Sequence, residues 1–334
     1  MTITAYAALG AKCPLSRHSY EPAPLGTSEV EVAISHCGIC HSDLHLIDDD
    51  WHVSKYPLVP GHEIVGRVVD SGSGSSLRAG ERVGIGWQRS ACHDCELCRA
   101  SQENLCLKQE ATCVGHEGGF AERIRIDSRF AFPLPEGLDA ATAAPLLCGG
   151  VTVFAPIRRW GMKAGASVGV IGIGGLGHLA LKFLSAMGCA TTAFTSSSDK
   201  RTEARRLGAH DVSSSTDVRE LKLHRNRLDF ILCTVPARLD WIAYLQALKP
   251  GGVLCLVGAS PGLMQFPAAQ LLTGQRTVCG SDIGSPAEIR DMLAFASAHR
   301  IGAEIEMSPM VNVNAALQRV RDNAARYRMV LTNP

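Results

Sequence analysis

Two groups of cysteine and histidine residues in this chain have the spacing of metal ligands, and they suit different tasks. Cys92, Cys95, Cys98 and Cys106 follow the pattern C-x2-C-x2-C-x7-C, which brings four thiols onto one short lobe that can close a tetrahedron around zinc. A closed zinc pins a loop and does no chemistry, so these residues announce an architecture. Thiolate ligation alone does not name the metal, and an iron–sulfur or rubredoxin-like iron site is the alternative. The neighbours His93, Asp94, Glu96, Arg99, Glu103 and Asn104 mark the segment as a polar surface lobe.

The second group is dispersed. His36-Cys37-Gly38-Ile39-Cys40-His41-Ser42-Asp43 precedes Gly61-His62-Glu63, and Leu147-Cys148-Gly149-Gly150 follows much later. Catalytic zinc commonly takes a mixed Cys2His set and keeps one position for water or substrate. Cys40, His62 and Cys148 could supply that set, with Glu63 beside it. Each has a plainer reading too: a free cysteine in apolar surroundings behaves as a small hydrophobe, and a single histidine is more often a satisfied core residue.

A third feature is Ser167-Val168-Gly169-Val170-Ile171-Gly172-Ile173-Gly174-Gly175-Leu176-Gly177, an apolar run ending in G-x-G-x-x-G at Gly172, Gly174 and Gly177. The run reads as a buried parallel strand, and an apolar helical stretch follows from His178 to Met187. Such glycines permit a tight turn, close approach of backbone to a pyrophosphate, and close packing of helix on strand. The helix N-terminus then offers free N–H groups to phosphate. This predicts a dinucleotide site.

The next strand, Cys189 to Phe194, leads into Thr195-Ser196-Ser197-Ser198-Asp199-Lys200-Arg201. An NAD site usually places a carboxylate at the strand tip for the ribose 2′-hydroxyl. Here hydroxyls at Ser196, Ser197 and Ser198 and cations at Lys200 and Arg201 suit a 2′-phosphate. The loop favours NADP(H) over NAD(H), with Asp199 counting the other way. An ordinary polar turn into a helix from Lys200 to Leu207, with Asp199 as its cap, is the structural alternative.

The elements that must position these groups divide the chain. Up to Cys148 the pattern is short β-like runs, such as Val30 to Ile34 and Ile64 to Val69, separated by turns such as Ser71 to Ser75. From Gly149 to Gly280 strands and helices alternate in the βαβ manner, with further strands expected at Phe230–Thr234 and Val253–Val257. The last segment reads as a helix from Val313 to Asn323 and a strand from Arg328 to Leu331.

Length and composition bound the rest. At 334 residues the chain has room for two domains. Lys plus Arg number 33 against 32 Asp plus Glu, which gives no basic excess for nucleic acid. The basic run from Arg219 to Arg227 reads as a solvated helix and loop. The apolar runs are broken by glycine and His178, so no membrane span is expected, and the N-terminus reads as a first strand without the basic region of a signal peptide. Of 13 cysteines, six fall in the two ligand groups. Cys13, Cys37, Cys113, Cys189, Cys233, Cys255 and Cys279 remain as reduced thiols, which suits a cytoplasmic location.

In this order, CGICHSDLH (37–45), YPLVPGHEIVGRV (56–68), the four-cysteine lobe, PLLCGGVTVF (145–154), GVIGIGGLGH (169–178), FTSSSDK (194–200) and RYRMVL (326–331) resemble the zinc-dependent medium-chain dehydrogenase/reductase family. The chain looks most like its cinnamyl-alcohol-dehydrogenase-like branch, including bacterial NADPH-dependent aldehyde reductases. That resemblance implies an α/β protein with a doubly wound, parallel-sheet Rossmann cofactor domain and a discontinuous, mainly β GroES-like catalytic domain. The expected limits are 1–148 for the catalytic part, 149–280 for the cofactor part and 281–334 for the return.

Carried onto this sequence, the resemblance makes Cys40, His62 and Cys148 ligands of a catalytic zinc, with Glu63 an adjacent carboxylate able to approach it. Cys92, Cys95, Cys98 and Cys106 hold a structural zinc. Ser42 matches the hydroxyl that bonds the substrate oxygen, His45 the end of a proton relay, and Asp43 the carboxylate that orients His62. His41 falls near the cofactor pyrophosphate, and Gly172, Gly174, Gly175, Leu176 and Gly177 form the turn beneath it. Trp51 and Trp87 lie in segments flanking the catalytic zinc and the pocket mouth, while Leu58 and Ile283 are weaker candidates for apolar lining; core packing is the plainer reading of all four. The segment between Cys106 and Phe120 is short for the branch. The implied activity is interconversion of aldehydes and primary alcohols with NADP(H), directed to aromatic and medium-chain aldehydes, in a homodimer. The alternatives are an NAD-linked polyol or simple alcohol dehydrogenase, and a non-catalytic nucleotide-binding zinc protein.

Overall fold

The computed structural model describes residues 1–258 and 263–333. The chain divides into two compact units, Met1–Val151 with Gly284–Pro334, and Thr152–Ile283.

The first unit is built on a sheet with strand order Ile305–Pro309, Arg328–Thr332, Glu29–Ile39, Glu63–Ser71, Arg82–Ile85 and Ala131–Pro133, with Arg123–Asp127 also pairing against Glu29–Ile39. The strand from Glu29 to Ile39 is the hub. Along its outer half Gly38 stands opposite Glu63 on one side and Val330 on the other. The C-terminal strand is therefore a central member of the sheet that carries the first ligand segment. Alternation sets the faces: Val30, Val32, Cys37 and Ile39 are buried with Ile64, Val68, Val83 and Ile85 in one apolar core. A helix from Pro286 to His299 starts cleanly, because Ser285 and Glu288 bond each other's backbone N–H reciprocally and Pro286 needs no donor there.

The second unit is a six-stranded parallel sheet ordered Asp211–Ser214, Ala190–Thr195, Ser167–Ile171, Leu228–Cys233, Leu248–Leu256 and Thr277–Gly280. In sequence order this is 3-2-1-4-5-6, the doubly wound dinucleotide-binding arrangement. Its central strands are continuous apolar runs because both faces are covered: Val168, Val170, Ile171, Phe230, Ile231 and Leu232 are all fully buried. Among the described residues no single helix is long and apolar enough to cross a membrane.

Candidate active site

The first ligand segment changes conformation at Cys40. The strand ends at Ile39 and a helix runs from His41 to Asp48. Asp43, at the third helical position, accepts a hydrogen bond from the Cys40 N–H at 2.8 Å with one oxygen. Its other oxygen accepts from Gly61 N–H at 2.9 Å and meets His62 Nδ1 at 3.0 Å. Burial favours the neutral ring, but the Asp43 and Cys148 charges and the Asp43 hydrogen bond push His62 well above the usual imidazole range; with Nδ1 committed to Asp43, Nε2 is the nitrogen that a cation would take. Among the described residues, that Nε2 is buried without a hydrogen-bond partner.

Around it stand Cys40, Glu63 and Cys148, whose donor atoms and that of His62 all lie within 4.8 Å of one another. Cys148 reaches the cluster from the junction between a 3-10 run, Ala144–Leu147, and the helix Gly149–Arg159. The hydrogen bond from Cys148 pulls Cys40 well below the usual thiol range and pushes Cys148 well above it. One proton is thus shared between two sulfurs facing an unpartnered imidazole nitrogen. Two cysteine sulfurs, an imidazole nitrogen and a nearby carboxylate form a donor set that fits a catalytic zinc, which would take the remaining sulfur and ring protons on binding.

Glu63 is fully buried. One oxygen takes a charged hydrogen bond from Arg328, while the second has no partner and faces Gly38. A Cβ on Gly38 would come within 2.2 Å of that oxygen, so only glycine leaves the carboxylate its place. Burial pushes the Glu63 carboxyl up to about 7, against the pull of the Arg328 guanidinium toward the ionised form. Arg328 carries this role unassigned by the sequence reading, which quoted its motif without a task for it. Cys113 was missed likewise: it groups with Asp43 and His62 on the histidine's other side. Gly38 did carry a signal, since glycine inside a strand marks close approach of another group.

A line of rings leads outward from the cluster. Trp87 meets His62 edge-on at 4.9 Å, Trp51 meets Trp87 edge-on at 6.1 Å, and His45 lies 5.2 Å from Trp51. Thr112 bonds the carbonyls of Gly86 and Trp87 and so holds the inner tryptophan's backbone. His45 Nδ1 bonds Asp50 at 2.7 Å, and Ser42 Oγ lies 3.7 Å from Cys40 Sγ. His41 is exposed at the first position of the helix. Leu58 is 2 % exposed within the apolar core, and its backbone pairs with Ala8. Ile283 is buried at the end of the second unit, at φ 36°.

The four-cysteine lobe is a separate constellation. Sulfur separations are 3.8 Å for Cys92–Cys98, 3.9 Å for Cys95–Cys106 and 3.5 Å for Cys92–Cys106. A tetrahedron of thiolates on zinc has edges of about 3.8 Å. Backbone N–H groups of Cys95 and Lys108 point at Cys92 and Cys106 sulfurs, each at 3.4 Å.

In the second unit, Gly172 has φ 88° and a Cβ there would strike Val235 at 2.0 Å; at Gly177 it would meet the Gly172 carbonyl at 1.8 Å. Among the described residues nothing lies within 4 Å of a Cβ placed at Gly174, which leaves the backbone open to a ligand. Gly175 and Leu176 complete the turn into the helix Gly177–Ala186. Ser196 and Ser198 are exposed and Ser197 half-buried after the strand end at Thr195. Lys200 Nζ donates to the Ile173 carbonyl at 2.8 Å, tying its charge to the glycine turn. Arg201 instead pairs with both oxygens of Glu220 at 2.9 Å, a commitment its expected phosphate role did not foresee. Asp199 precedes the helix Lys200–Arg206 but makes no side-chain cap.

Residues 26–136 match the Alcohol dehydrogenase GroES-like domain family, and residues 175–298 the Zinc-binding dehydrogenase family. The chain is 44% identical over 332 residues, 99% of each chain, to an aldehyde reductase of Synechocystis sp.. It is 38% identical over 327 residues, 95% of this chain and 97% of the other, to a mannitol dehydrogenase of Petroselinum crispum. Its fold is similar to that of a cinnamyl alcohol dehydrogenase from Sorghum bicolor, with TM-score 0.95 and 38% identity over 99% of this chain and 98% of that one. A CAD from Helicobacter pylori complexed with NADP(H) gives TM-score 0.92 and 30% identity, again over 99% and 98%.

Proposed function

Because the chain belongs to the zinc-dependent medium-chain dehydrogenase/reductase family, in its cinnamyl-alcohol-dehydrogenase-like branch, we infer that it interconverts aldehydes and alcohols with zinc and NADP(H). The observation that carries the inference is the buried His62 Nε2, unpartnered and facing Cys40, Glu63 and Cys148. Cys40, His62 and Cys148 would hold the catalytic zinc, with Glu63 beside it, and Cys92, Cys95, Cys98 and Cys106 the structural one. When bound, zinc supplies a Lewis acid for the carbonyl oxygen and the reduced dinucleotide supplies a hydride.

The chain's own residues do the rest. Asp43 fixes the His62 tautomer, and Arg328 balances Glu63 so that a carboxylate can stay in a buried site. Ser42 and His45 stand three residues apart on one helix, hence on neighbouring positions of its surface. We assign them the proton path: the hydroxyl bonds the substrate oxygen, and His45, held through Nδ1 by Asp50, exchanges the proton with solvent. The glycine turn is assigned to the pyrophosphate, with His41 near it. Ser196, Ser197, Ser198 and Lys200 are assigned to the 2′-phosphate, with Arg201 as an outer charge.

The Trp87–Trp51 wall supports aromatic and medium-chain aldehydes as substrates, since flat apolar groups bury well against rings. The similarity to a mannitol dehydrogenase favours a second reading, oxidation of a polyol. Rates with straight-chain aldehydes, benzaldehyde, cinnamaldehyde and mannitol separate the two, and a preference for mannitol rejects the apolar wall. The cysteines outside the two ligand groups, Cys13, Cys37, Cys113, Cys189, Cys233, Cys255 and Cys279, are all unpaired, which supports a reducing, cytoplasmic setting, and family resemblance supports a homodimer, which the particle mass in solution tests. For the cofactor, Ser196→Asp should lower kcat/KM with NADPH by at least about tenfold through like-charge repulsion and raise it with NADH. A wild type that prefers NADH overturns the loop assignment.

A further inference from the structure

The short stretch Gly86-Trp87-Gln88 touches both ligand groups, and its last residue has no task in the reaction described above. At one end, a Cβ on Gly86 would lie 2.5 Å from the carbonyl of Leu147, the residue before Cys148. In the middle, the half-buried Trp87 sets its ring edge-on to His62 at 4.9 Å. At the other end, Gln88 is 4 % exposed and its amide is turned to the lobe. Gln88 Nε2 donates to the Glu103 carbonyl at 2.7 Å and to the Ser90 carbonyl at 3.2 Å.

The Glu103 carbonyl also accepts the N–H of Cys106, at 3.1 Å, and so closes the 3-10 turn Glu103–Leu105 that delivers the lobe's fourth sulfur. One oxygen is therefore shared between the last ligand of the lobe and the residue after Trp87. Just past Cys106 the chain returns to the same stretch. Glu110–Ala111 pairs antiparallel with Gln88–Ser90, and Thr112 N–H bonds the Trp87 carbonyl at 2.7 Å. The rotamer a ring adopts depends on the backbone that carries it. Here that backbone is held by the lobe on one side and by the segment leaving the lobe on the other.

We propose that Gln88 is a positioning residue: by tying the Trp87 backbone to the lobe it fixes the indole against His62, and so sets a preference for bulky over small aldehydes. Gln88 itself touches no substrate. The preference rests on the apolar-wall reading of Trp87 given above. A wall of this kind contributes to binding only while it is already in place, since ordering a loose ring on binding cancels part of the contact. A small aldehyde has no substituent to bury against it and is indifferent to the ring. Closing the lobe thus orders the pocket as well as the loop.

The test is Gln88→Met, which keeps the length of the side chain and removes both donors. The variant should keep two zincs. Its kcat/KM for cinnamaldehyde should fall about fivefold, the scale of one lost hydrogen bond, through KM with kcat unchanged, while acetaldehyde kinetics stay as in wild type. A second readout needs no turnover. Fluorotryptophan labelling gives one fluorine resonance for each of the four tryptophans, and Trp87→Phe assigns one of them. Gln88→Met should shift or broaden the Trp87 resonance and leave those of Trp160 and Trp241 in place. Thr112→Val, which removes the side-chain bonds to Gly86 and Trp87, should move the same resonance. A wild type with no preference for cinnamaldehyde sinks the wall reading and the selectivity with it, and the fluorine spectra still decide whether Gln88 holds the ring. An unmoved Trp87 resonance, or equal losses on acetaldehyde and cinnamaldehyde with all four resonances displaced, would overturn the proposal.

Discussion

The four-cysteine lobe and the cluster of Cys40, His62, Glu63 and Cys148 draw on similar donors and are built in opposite ways. The lobe takes its sulfurs from one continuous stretch, and the groups that bond those sulfurs belong to the same stretch. The cluster collects its donors from a strand-to-helix corner, the start of a second strand and a junction between helices. Two of its ionisable members are fixed by other buried groups: His62 by Asp43, and Glu63 by Arg328 and by the space above Gly38. The difference follows from the task. A set that closes on a metal needs only its own ligands, whereas a set that must keep buried charges ready for a substrate needs the surrounding fold to hold them.

The sharpest way to break this comparison is Cys148→Ser. It should lower turnover by more than about a hundredfold, since a ligand matters more than the groups behind it, while the unfolding temperature and NADPH binding stay near wild type. A variant that unfolds before it loses turnover would make the cluster a structural site. Cys98→Ser should do the reverse. Metal analysis should fall from two zincs toward one, and the unfolding temperature should drop by more than the roughly 2–4 °C that each kcal/mol is worth in a unit of this size. Undiminished thermal stability would remove the lobe's structural role. Asp43→Asn sits between them, touching no substrate. It should weaken metal binding at the cluster by about 10–100-fold, with the lobe still loaded, as a competition titration with a chelator can read. Equal loss at both sites would mean that Asp43 supports the fold generally.

How much the sequence revealed follows the same division. The lobe was legible because spacing along the chain is spacing in space when all ligands share one stretch. The glycine turn was legible for a related reason: strand, turn and helix are contiguous, and each glycine answers a local crowding or opening. The role of Arg328 was not, because it depends on a register in which Gly38 faces both Glu63 and Val330, and register is a property of paired strands. Arg201 has a partner, Glu220, that lies in another helix and could not be chosen by proximity in sequence. Leu58 reads from the sequence either as lining or as core, and its burial among the apolar residues of the first unit becomes visible only in the fold. Apolar runs nonetheless located central strands of both units, such as Glu29–Ile39, Glu63–Ser71, Ser167–Ile171 and Leu228–Cys233, while edge strands such as Asp211–Ser214 and Thr277–Gly280 were not read from the sequence.

The Glu63–Arg328 pair joins residues 265 positions apart, with the contiguous second unit lying between them in the chain. At ribosomal rates of about 5–20 residues per second, roughly 13–53 s separate the synthesis of the carboxylate from that of its guanidinium. During that interval the nascent sheet lacks the strand beside Gly38, and its exposed edge is open to pairing with other chains. The second unit, complete in one stretch, can finish folding meanwhile. The chain order therefore lets the second unit be complete before the strand that carries Arg328 is made.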